Sequence, residues 1–216
     1  MPTPLKFQAH APMPGRDPAH MLDAVLNEWG GDGDLWIFGY ASLIWRPEFE
    51  FNEQRFAHVR GYHRALKMWS RLNRGTPECP GLVFGLLRGG SCRGMVYRIA
   101  QSRVEAALPA LWQREMPNGV YDPKWLRCET LPVPGAAPMP VNLKPEQVRA
   151  LAFTLSRHSP SHTGLLSDET YRSIFSDACG RYGTTREYAQ ITYDKLREIG
   201  IEDRALGKLL QAVNRV

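Results

Sequence analysis

The chain has 216 residues, a formal net charge of +5 at pH 7, 43% hydrophobic residues and 23% charged residues. These values are typical of a globular protein with a full hydrophobic core, and no apolar stretch approaches the roughly 20 residues that a membrane-spanning helix needs. The positive charge is spread along the chain without a run of Lys or Arg, so it indicates a small anionic substrate or surface charge, with no nucleic acid and no membrane as a partner.

The N-terminal residues and the cysteines indicate where the protein resides. Residues 1–16 are rich in proline and glycine and are expected to form an extended arm ahead of a single domain at residues 17–216. Because the start of the chain lacks the apolar core of a signal peptide, we expect a cytoplasmic location. The chain has four widely spaced cysteines that form no CxxC pair: Cys79, Cys92, Cys128 and Cys179. They predict free thiols in a reducing compartment, with no disulfide framework and no metal site.

The first predicted elements are a helix and a buried strand. Asp17 is a helix-capping residue and Pro18 a first-turn proline, so together they predict the start of a helix, which Gly30 ends. The apolar run at residues 35–38 predicts a strand. This strand leads directly into a turn of small residues, Gly39-Tyr-Ala-Ser-Leu43.

Glycines divide the next part of the chain into short strands. Gly61-Tyr62 separates the first two of these strands, and Gly89-Gly90-Ser91 is a turn signal between the last two, which it would join as a hairpin. The four strands are predicted at residues 56–60, 63–69, 82–87 and 94–99.

A helix and two more strands follow. Ser102-Arg-Val-Glu105 has the pattern of a capping box, which predicts a helix start, and Pro109 predicts a kink or a late start of the regular helix. Residues 125–131 and 148–155 are predicted strands, and the five prolines from Pro132 to Pro145 indicate a surface loop.

The last fifty residues are predicted to be helical. Thr184-Thr-Arg-Glu187 is a second capping box, and Gly200 ends the helix that it opens. Helical apolar faces lie before and after this helix, at Tyr171, Ile174, Phe175 and Ala178 and at Leu206, Leu209, Leu210 and Val213. Helices at both ends and one between strands predict an α+β fold on a closed or strongly curved sheet.

One carboxylate, Glu115, lies on the apolar face of the helix that contains it. The spacing i, i+3, i+4, i+7 joins Leu108, Leu111, Trp112 and Glu115. Desolvation and the negative end of the helix dipole both raise a carboxyl pKa, and a raised pKa suits acid–base catalysis near neutral pH. The alternative is a side chain that curls out to water or pairs with Arg114, and the residues alone leave both open.

Two loops are candidates for substrate binding. Arginine in a loop, as at Arg74, can hold a carboxylate by two hydrogen bonds, although such a pattern taken alone is more often a solvated loop charge. Small residues after a strand allow a ligand close to the backbone, and their N–H groups can bind an oxyanion, although a plain tight turn would have the same pattern. The residues of this turn are Tyr40, Ala41, Ser42 and Leu43.

Several motifs, in order along residues 36–201, resemble those of the ChaC-type γ-glutamylcyclotransferases. Any one of these motifs would be a weak signal, and six or more of them in the right order are specific. They are Phe38-Gly-Tyr-Ala-Ser-Leu-Ile-Trp-Arg-Pro47, Gly61-Tyr-His-Arg64, Arg74-Gly-Thr-Pro77, Pro80-Gly81, Gly89-Gly-Ser-Cys-Arg-Gly94, Trp112-Gln-Arg-Glu-Met116, Gly180-Arg-Tyr-Gly183 and Glu187-Tyr188.

The resemblance implies a fold, a reaction and site residues. The implied fold is a small mixed β-barrel with flanking helices. The implied reaction is cleavage of glutathione to 5-oxoproline and cysteinylglycine, in which the substrate's own α-amine attacks its γ-carbonyl. The resemblance implies no metal and no cofactor. By position, Glu115 would be the catalytic acid and base, and the turn from Tyr40 to Leu43 would bind the glutamyl end. We expect Arg74 to help hold a substrate carboxylate.

Three positions depart from the family pattern. Ala41 stands where many relatives carry Gly, and a positive φ there would cost about 1–2 kcal/mol for Ala. Ser70 stands where some relatives carry an acid beside the pocket. His162 stands where some relatives carry a pocket tyrosine, and it is either a substitute for that hydrogen bond or a surface-loop histidine.

Other functions remain open at this point. The same cyclisation acts on other γ-glutamyl amines in related folds, and glutathione would need a cation such as Arg74 or Arg46 for its second carboxylate. A non-catalytic binding or regulatory protein of this fold is a further alternative, although it would have no need for Glu115 on an apolar helix face. A nucleic-acid binder would depend on the basic pI of about 9.1 alone.

Overall fold

The computed structural model describes residues 16–132 and 145–214, so most of the expected N-terminal arm and of the proline-rich loop lies outside the described residues. The helices are α1 (Pro18–Trp29), α2 (Ser42–Trp45), α3 (Gln101–Glu115), α4 (Asp168–Asp177), α5 (Thr185–Glu198) and α6 (Arg204–Asn214). The strands are β1 (Leu35–Gly39), β2 (Glu53–Ser70), β3 (Gly81–Ile99), β4 (Asp122–Leu131), β5 (Gln147–Thr154) and the short pair β6 (Cys179–Gly180) and β7 (Gly183–Thr184).

Five strands close into a barrel in the order β1-β3-β2-β4-β5. Most neighbours are antiparallel, and the barrel closes through parallel pairing of β1 with β5, where Trp36 lies opposite Ala150 and Ile37 opposite Leu151. A further parallel contact joins Leu86 of β3 to Thr154 of β5. The predicted small mixed barrel with flanking helices is therefore confirmed.

The predicted division of the central strands by glycines is wrong. β2 and β3 are 18 and 19 residues long, and they pair with each other along almost their whole length. Gly61, with φ of +83°, lies at a bulge in β2, and Gly89 and Gly90 lie in β3 beside it with φ of +104° and +69°. A bulge requires the same left-handed glycines as a turn, but it bends the strand instead of ending it.

Two of the predicted helix starts are confirmed and one is wrong. Asp17 caps α1 through the Ala19 N–H, and Thr184 and Glu187 form the predicted capping box of α5. Helix α3 begins at Gln101, one residue before the predicted box, and Pro109 lies inside it. Side chains distant in sequence replace the local cap, since Asn52 accepts from the Ala100 N–H at 3.1 Å and Asp34 accepts from the Gln101 N–H at 3.0 Å.

The hydrophobic core consists of two clusters on the barrel. One joins part of the barrel to helices α4, α5 and α6, and the other joins it to α1 and α3. The buried positions of α3 are Val104, Leu108, Leu111 and Trp112. Within the described part of the chain, no helix is long and apolar enough to cross a lipid bilayer.

Candidate active site

Helix α3 ends at Glu115, immediately after its buried face. Leu108, Leu111 and Trp112 are almost completely buried, and the side chain of Glu115 is only 15% exposed. The Met116 N–H donates to the Trp112 carbonyl at 2.7 Å and closes the last turn. The apolar face predicted from the spacing therefore brings a carboxylate into a poorly solvated position.

Arg114 pairs with Glu115 and ties the end of α3 to the end of α2. Its Nε lies 3.1 Å from Oε1 of Glu115, and its Nη1 lies 2.9 Å from Glu48 and donates to the carbonyls of Arg46 at 2.5 Å and Pro47 at 3.1 Å. Burial raises the pKa of Glu115, Arg114 opposes the rise, and the negative charge of Glu48 adds to it. Desolvation and pairing with Arg114, which the sequence left as alternatives, occur together.

Three buried tyrosines interact electrostatically with the carboxylate of Glu115. Burial raises the pKa of Tyr40, Tyr121 and Tyr188, in the last case to about 12, and the charge of Glu115 adds to the rise in each. The Tyr40 hydroxyl donates to the Phe153 carbonyl at 2.9 Å, and the Tyr121 hydroxyl donates to the Phe84 carbonyl at 3.0 Å. All three tyrosines are therefore neutral near pH 7.

The turn from Tyr40 to Leu43 connects β1 to the single turn of α2. Arg64 Nη1 donates to the Tyr40 carbonyl at 2.6 Å, and the Tyr97 hydroxyl donates to the Leu43 carbonyl at 2.9 Å. Ala41 is the N-cap residue of α2 with φ of −143°, so this backbone needs no positive φ and accepts alanine. As first helical residues, Ser42 and Leu43 have N–H groups without an acceptor one turn earlier.

Arg74 lies behind Tyr188 instead of in open solvent. The residue is 8% exposed, its Cζ lies 4.9 Å from the centroid of the Tyr188 ring, and its Nη1 donates to the Tyr182 carbonyl. Burial lowers the pKa of Arg74 from its usual range, although the group stays charged. These contacts fit a residue that positions Tyr188, and contact of Arg74 with a substrate carboxylate stays a prediction.

Ser70 and His162 have main-chain contacts. The Ser70 hydroxyl accepts from the Arg74 N–H at 3.0 Å and so supports the loop after β2. His162 pairs with Met68 of β2 in an isolated bridge, and its Nδ1 accepts from the Gly164 N–H at 3.3 Å. Burial is the largest cause that lowers the pKa of His162, and the charges of Lys67 and Arg157 lower it further. Within the described residues, Glu115 is not among the groups that shift this pKa. A role for either side chain in substrate binding stays a prediction.

Two tyrosines of this group had no role in the sequence-based prediction. Tyr188 belongs to the quoted Glu187-Tyr188 motif, and its position on the buried face of α5 is a signal that a helical-face argument would have found. Tyr121 follows no such pattern. Its main chain is held in place by Arg16, a residue distant in sequence. Arg16 donates to the Tyr121 carbonyl at 2.6 Å and pairs with Asp122 at 2.7 Å.

The group contains carboxylate, phenol and guanidinium side chains but no recognisable metal site. Across residues 16–132 and 145–214, no three His, Cys, Asp or Glu side chains lie together as a metal site would require. The arrangement therefore supports proton transfer at a buried carboxylate, with hydrogen-bond donors nearby.

Comparison with known proteins is consistent with this arrangement. Residues 35–216 match the family described as ChaC-like protein. The chain is 31% identical to the glutathione-specific gamma-glutamylcyclotransferase of Escherichia coli (strain K12) over 198 residues, which cover 92% of this chain and 80% of that protein. It is 32% identical to glutathione-specific gamma-glutamylcyclotransferase 1 of Homo sapiens, with 84% of this chain and 81% of that protein covered.

A solved structure shares the fold. The crystal structure of the gamma-glutamyl cyclotransferase specific to glutathione from yeast has a TM-score of 0.73 and 19% identity, and the alignment covers 85% of this chain and 97% of that chain. At this identity the likeness shows the fold alone. The family match over most of the sequence confirms the resemblance inferred from the motifs, and the chain therefore belongs to the ChaC-like family.

Proposed function

We propose that this protein cleaves glutathione to 5-oxoproline and cysteinylglycine, as a γ-glutamylcyclotransferase. The observation that carries the proposal is the position of Glu115, a largely buried carboxylate with a raised pKa, beside three neutral tyrosines and the turn after β1. Membership of the family and the names of its relatives supply the substrate class.

The reaction needs one group that both accepts and donates a proton. The neutral α-amine of the glutamyl unit attacks the γ-carbonyl carbon, a C–N bond forms, and a five-membered ring closes. The attacking nitrogen gives up one proton to Glu115, the bond to the nitrogen of cysteinylglycine breaks, and that nitrogen takes the proton from Glu115. A carboxylate with a raised pKa is suited to both transfers, because it takes up and holds a proton more readily than an ordinary carboxylate does.

The turn from Tyr40 to Leu43 would hold the glutamyl end. The N–H groups at the start of α2 are suited to the oxygen of the tetrahedral intermediate, which carries negative charge. Since the nucleophile and the carbonyl belong to one molecule, holding the glutamyl chain in a folded conformation supplies much of the rate enhancement. The contacts of Arg64 and Tyr97 with the turn support this role by keeping its backbone in place.

The second carboxylate of glutathione requires a cation. Arg46 pairs with Glu48 but has a half-exposed side chain, and its Cζ lies 5.8 Å from the ring centroid of Tyr182, whereas Arg74 is buried. Exposure therefore favours Arg46 as the first contact for the glycine carboxylate, with Arg74 behind Tyr188. The cytoplasm is the proposed location, since all four cysteines are free thiols.

The test is the release of 5-oxoproline by the purified protein. Glutathione is compared with a panel of γ-glutamyl amino acids and simple γ-glutamyl amines at equal concentrations. Release from glutathione in preference to the panel supports the proposal. Release only from the other compounds would keep the cyclisation and replace the substrate, and no release from any compound would favour a binding protein of the same fold.

A further inference from the structure

The hydroxyls of Tyr40, Tyr121 and Tyr188 differ in the acceptors of the hydrogen bonds that they donate. The Tyr40 hydroxyl donates its hydrogen bond to the Phe153 carbonyl, and the Tyr121 hydroxyl donates its hydrogen bond to the Phe84 carbonyl. A phenol has a single proton, so neither hydroxyl has one left to donate to a substrate. The two hydroxyls are also hydrogen-bond partners of each other, so neither is suited to an oxyanion.

The Tyr188 hydroxyl has no main-chain carbonyl as its acceptor among the described residues. The Phe84 main chain and the Ser42 hydroxyl interact with its oxygen, and both lower its pKa. A hydroxyl partner can rotate, so Ser42 can donate to Tyr188 while the Tyr188 proton is directed elsewhere. Tyr188 is thus the member of the three with a proton that is free to reach a bound molecule.

The ring of Tyr188 is held firmly on several sides. Arg74 lies over it at 4.9 Å, Phe84 lies beside it at 5.4 Å between ring centroids, and Trp45 contacts it edge-on at 6.4 Å. The positive charge of Arg74 also makes the hydroxyl a better hydrogen-bond donor. A donor fixed in this way needs no reorganisation when charge develops next to it.

We propose that the Tyr188 hydroxyl donates a hydrogen bond to the oxygen of the tetrahedral intermediate, beside Ser42 and opposite the proton-transferring carboxylate of Glu115. The inference rests on the proposed function and adds a catalytic residue to it. No proton leaves Tyr188 during the reaction. As the γ-carbonyl oxygen becomes negative, the hydrogen bond strengthens, and it weakens again when the bond to cysteinylglycine breaks.

Phe84 supplies a matched pair of variants. Tyr188→Phe removes the hydroxyl that interacts with the Phe84 main chain, and Tyr121→Phe removes the hydroxyl that donates to the Phe84 carbonyl. Both variants therefore remove a buried hydroxyl next to the same residue, and both keep the aromatic ring. Only Tyr188→Phe also removes a proton that is available to the substrate.

The experiment compares kcat and KM for glutathione in the two variants and the wild type, with Tm measured for each. We expect similar losses of Tm, a fall of about 100-fold in kcat for Tyr188→Phe with KM nearly unchanged, and a fall of less than 10-fold for Tyr121→Phe. Equal losses of kcat would show that Tyr188 acts only through packing and would overturn the assignment. A wild type without activity on any γ-glutamyl compound would instead remove the proposed function.

Ser42→Ala gives a second measurement that does not depend on the folding of Tyr188→Phe. Without the Ser42 hydroxyl, Tyr188 keeps its proton but loses a supporting donor, so we expect about a 10-fold fall in kcat with KM nearly unchanged. A Ser42→Ala variant with wild-type kcat would show that this hydroxyl pair does not contribute to the transition state.

Discussion

Arg114 and Glu115 are neighbours in the sequence and also ion-paired, with Nε 3.1 Å from Oε1, at the point where α3 ends. The same guanidinium donates to the carbonyls of Arg46 and Pro47, just after α2. One side chain thus fixes the catalytic candidate relative to the turn that is expected to bind substrate. Because burial outweighs the attraction of Arg114, the carboxyl pKa is still raised.

Glu115→Gln is expected to abolish turnover while glutathione still binds. The amide has nearly the size of the carboxyl group but cannot carry a proton between the two nitrogens, and proton transfer of this kind contributes about 100- to 10,000-fold to a rate. Calorimetric binding of glutathione to the variant, together with 5-oxoproline release, gives the measurement.

Glu48→Gln is the control for Glu115→Gln. Glu48 also pairs with Arg114, but its side chain is 43% exposed, so we expect its variant to stay within a few-fold of the wild-type kcat. A Glu115→Gln enzyme with the wild-type rate would contradict the acid–base assignment.

Arg114→Met is expected to move the acidic limb of the pH profile of kcat/KM to higher pH. Arg114 favours the ionised form of Glu115, so its removal raises the carboxyl pKa, and the unneutralised charge of Glu48 acts in the same direction. Activity should fall more at pH 6 than at pH 9. Arg114→Lys keeps the charge and should have a limb near that of the wild type. A limb that moves to lower pH in Arg114→Met would contradict this electrostatic account.

Glu115→Gln is also expected to stabilise the fold at neutral pH. The folded-state pKa of Glu115 lies above its unfolded value. At pH values between these two pKa values, the folded protein binds more protons than the unfolded protein does. The free energy of unfolding therefore falls as the pH rises through that range. The neutral amide removes this penalty, so Tm should rise at pH 8 and the difference should vanish below the unfolded glutamate pKa of about 4.3. Each kcal/mol corresponds to about 2–4 °C in Tm for a chain of this size. An equal effect at pH 4 and pH 8 would show that packing, not charge, is responsible.

The fold could be predicted from the sequence where local signals decide it. Asp17, Gly30 and the Thr184–Glu187 box specify helix ends through contacts within a few residues, and all were predicted correctly. Gly89 and Gly90 were misread because a positive φ does not tell a turn from a bulge, and the pairing of β2 with β3 decides between them. The start of α3 depends on side chains distant in sequence, which no local pattern contains.

The positions of the candidate site residues were predictable to a similar extent. Glu115 could be found because helical periodicity places it after a buried face, and the turn at Tyr40 because small residues follow a strand. The orientation of Arg74 toward Tyr188 depends on the docking of the loop after β2 against the segment before α5. There the Tyr182 N–H donates to the Asn73 carbonyl at 3.0 Å, a contact between residues more than a hundred positions apart.

Arg46→Ala and Arg74→Ala test which cation binds the second carboxylate of glutathione. In the variant of the binding residue, KM for glutathione should rise by about 10-fold or more while kcat falls less, and exposure favours Arg46 for this role. The comparison substrate is a γ-glutamyl alkylamine, which has no second carboxylate. If Arg74 or Arg46 binds that carboxylate, the variant of that residue loses its preference for glutathione over the alkylamine. An unchanged KM in Arg74→Ala would remove Arg74 from carboxylate binding and leave its contact with Tyr188 as its role.

Gly81→Ala tests the junction that holds Arg74 in place. A Cβ at Gly81 would lie 2.0 Å from the Arg74 carbonyl oxygen and 2.5 Å from Oγ1 of Thr185, which itself accepts from the Leu82 N–H at 2.8 Å. The obstacle is mainly backbone, which cannot move as a flexible side chain does. We expect a destabilisation of about 1–3 kcal/mol and a displaced Arg74 loop.

The control is Gly207→Ala in α6, where the added Cβ would meet the end of the Tyr193 side chain at 3.1 Å. Alanine also favours the helix there by about 0.5–1 kcal/mol, which offsets the contact. Urea unfolding and kcat/KM are measured for both variants. Because Arg74 contacts Tyr188, Gly81→Ala should lose activity at temperatures where it is still folded, and Gly207→Ala should not. A folded Gly81→Ala enzyme with full activity would show that the site tolerates movement of this loop.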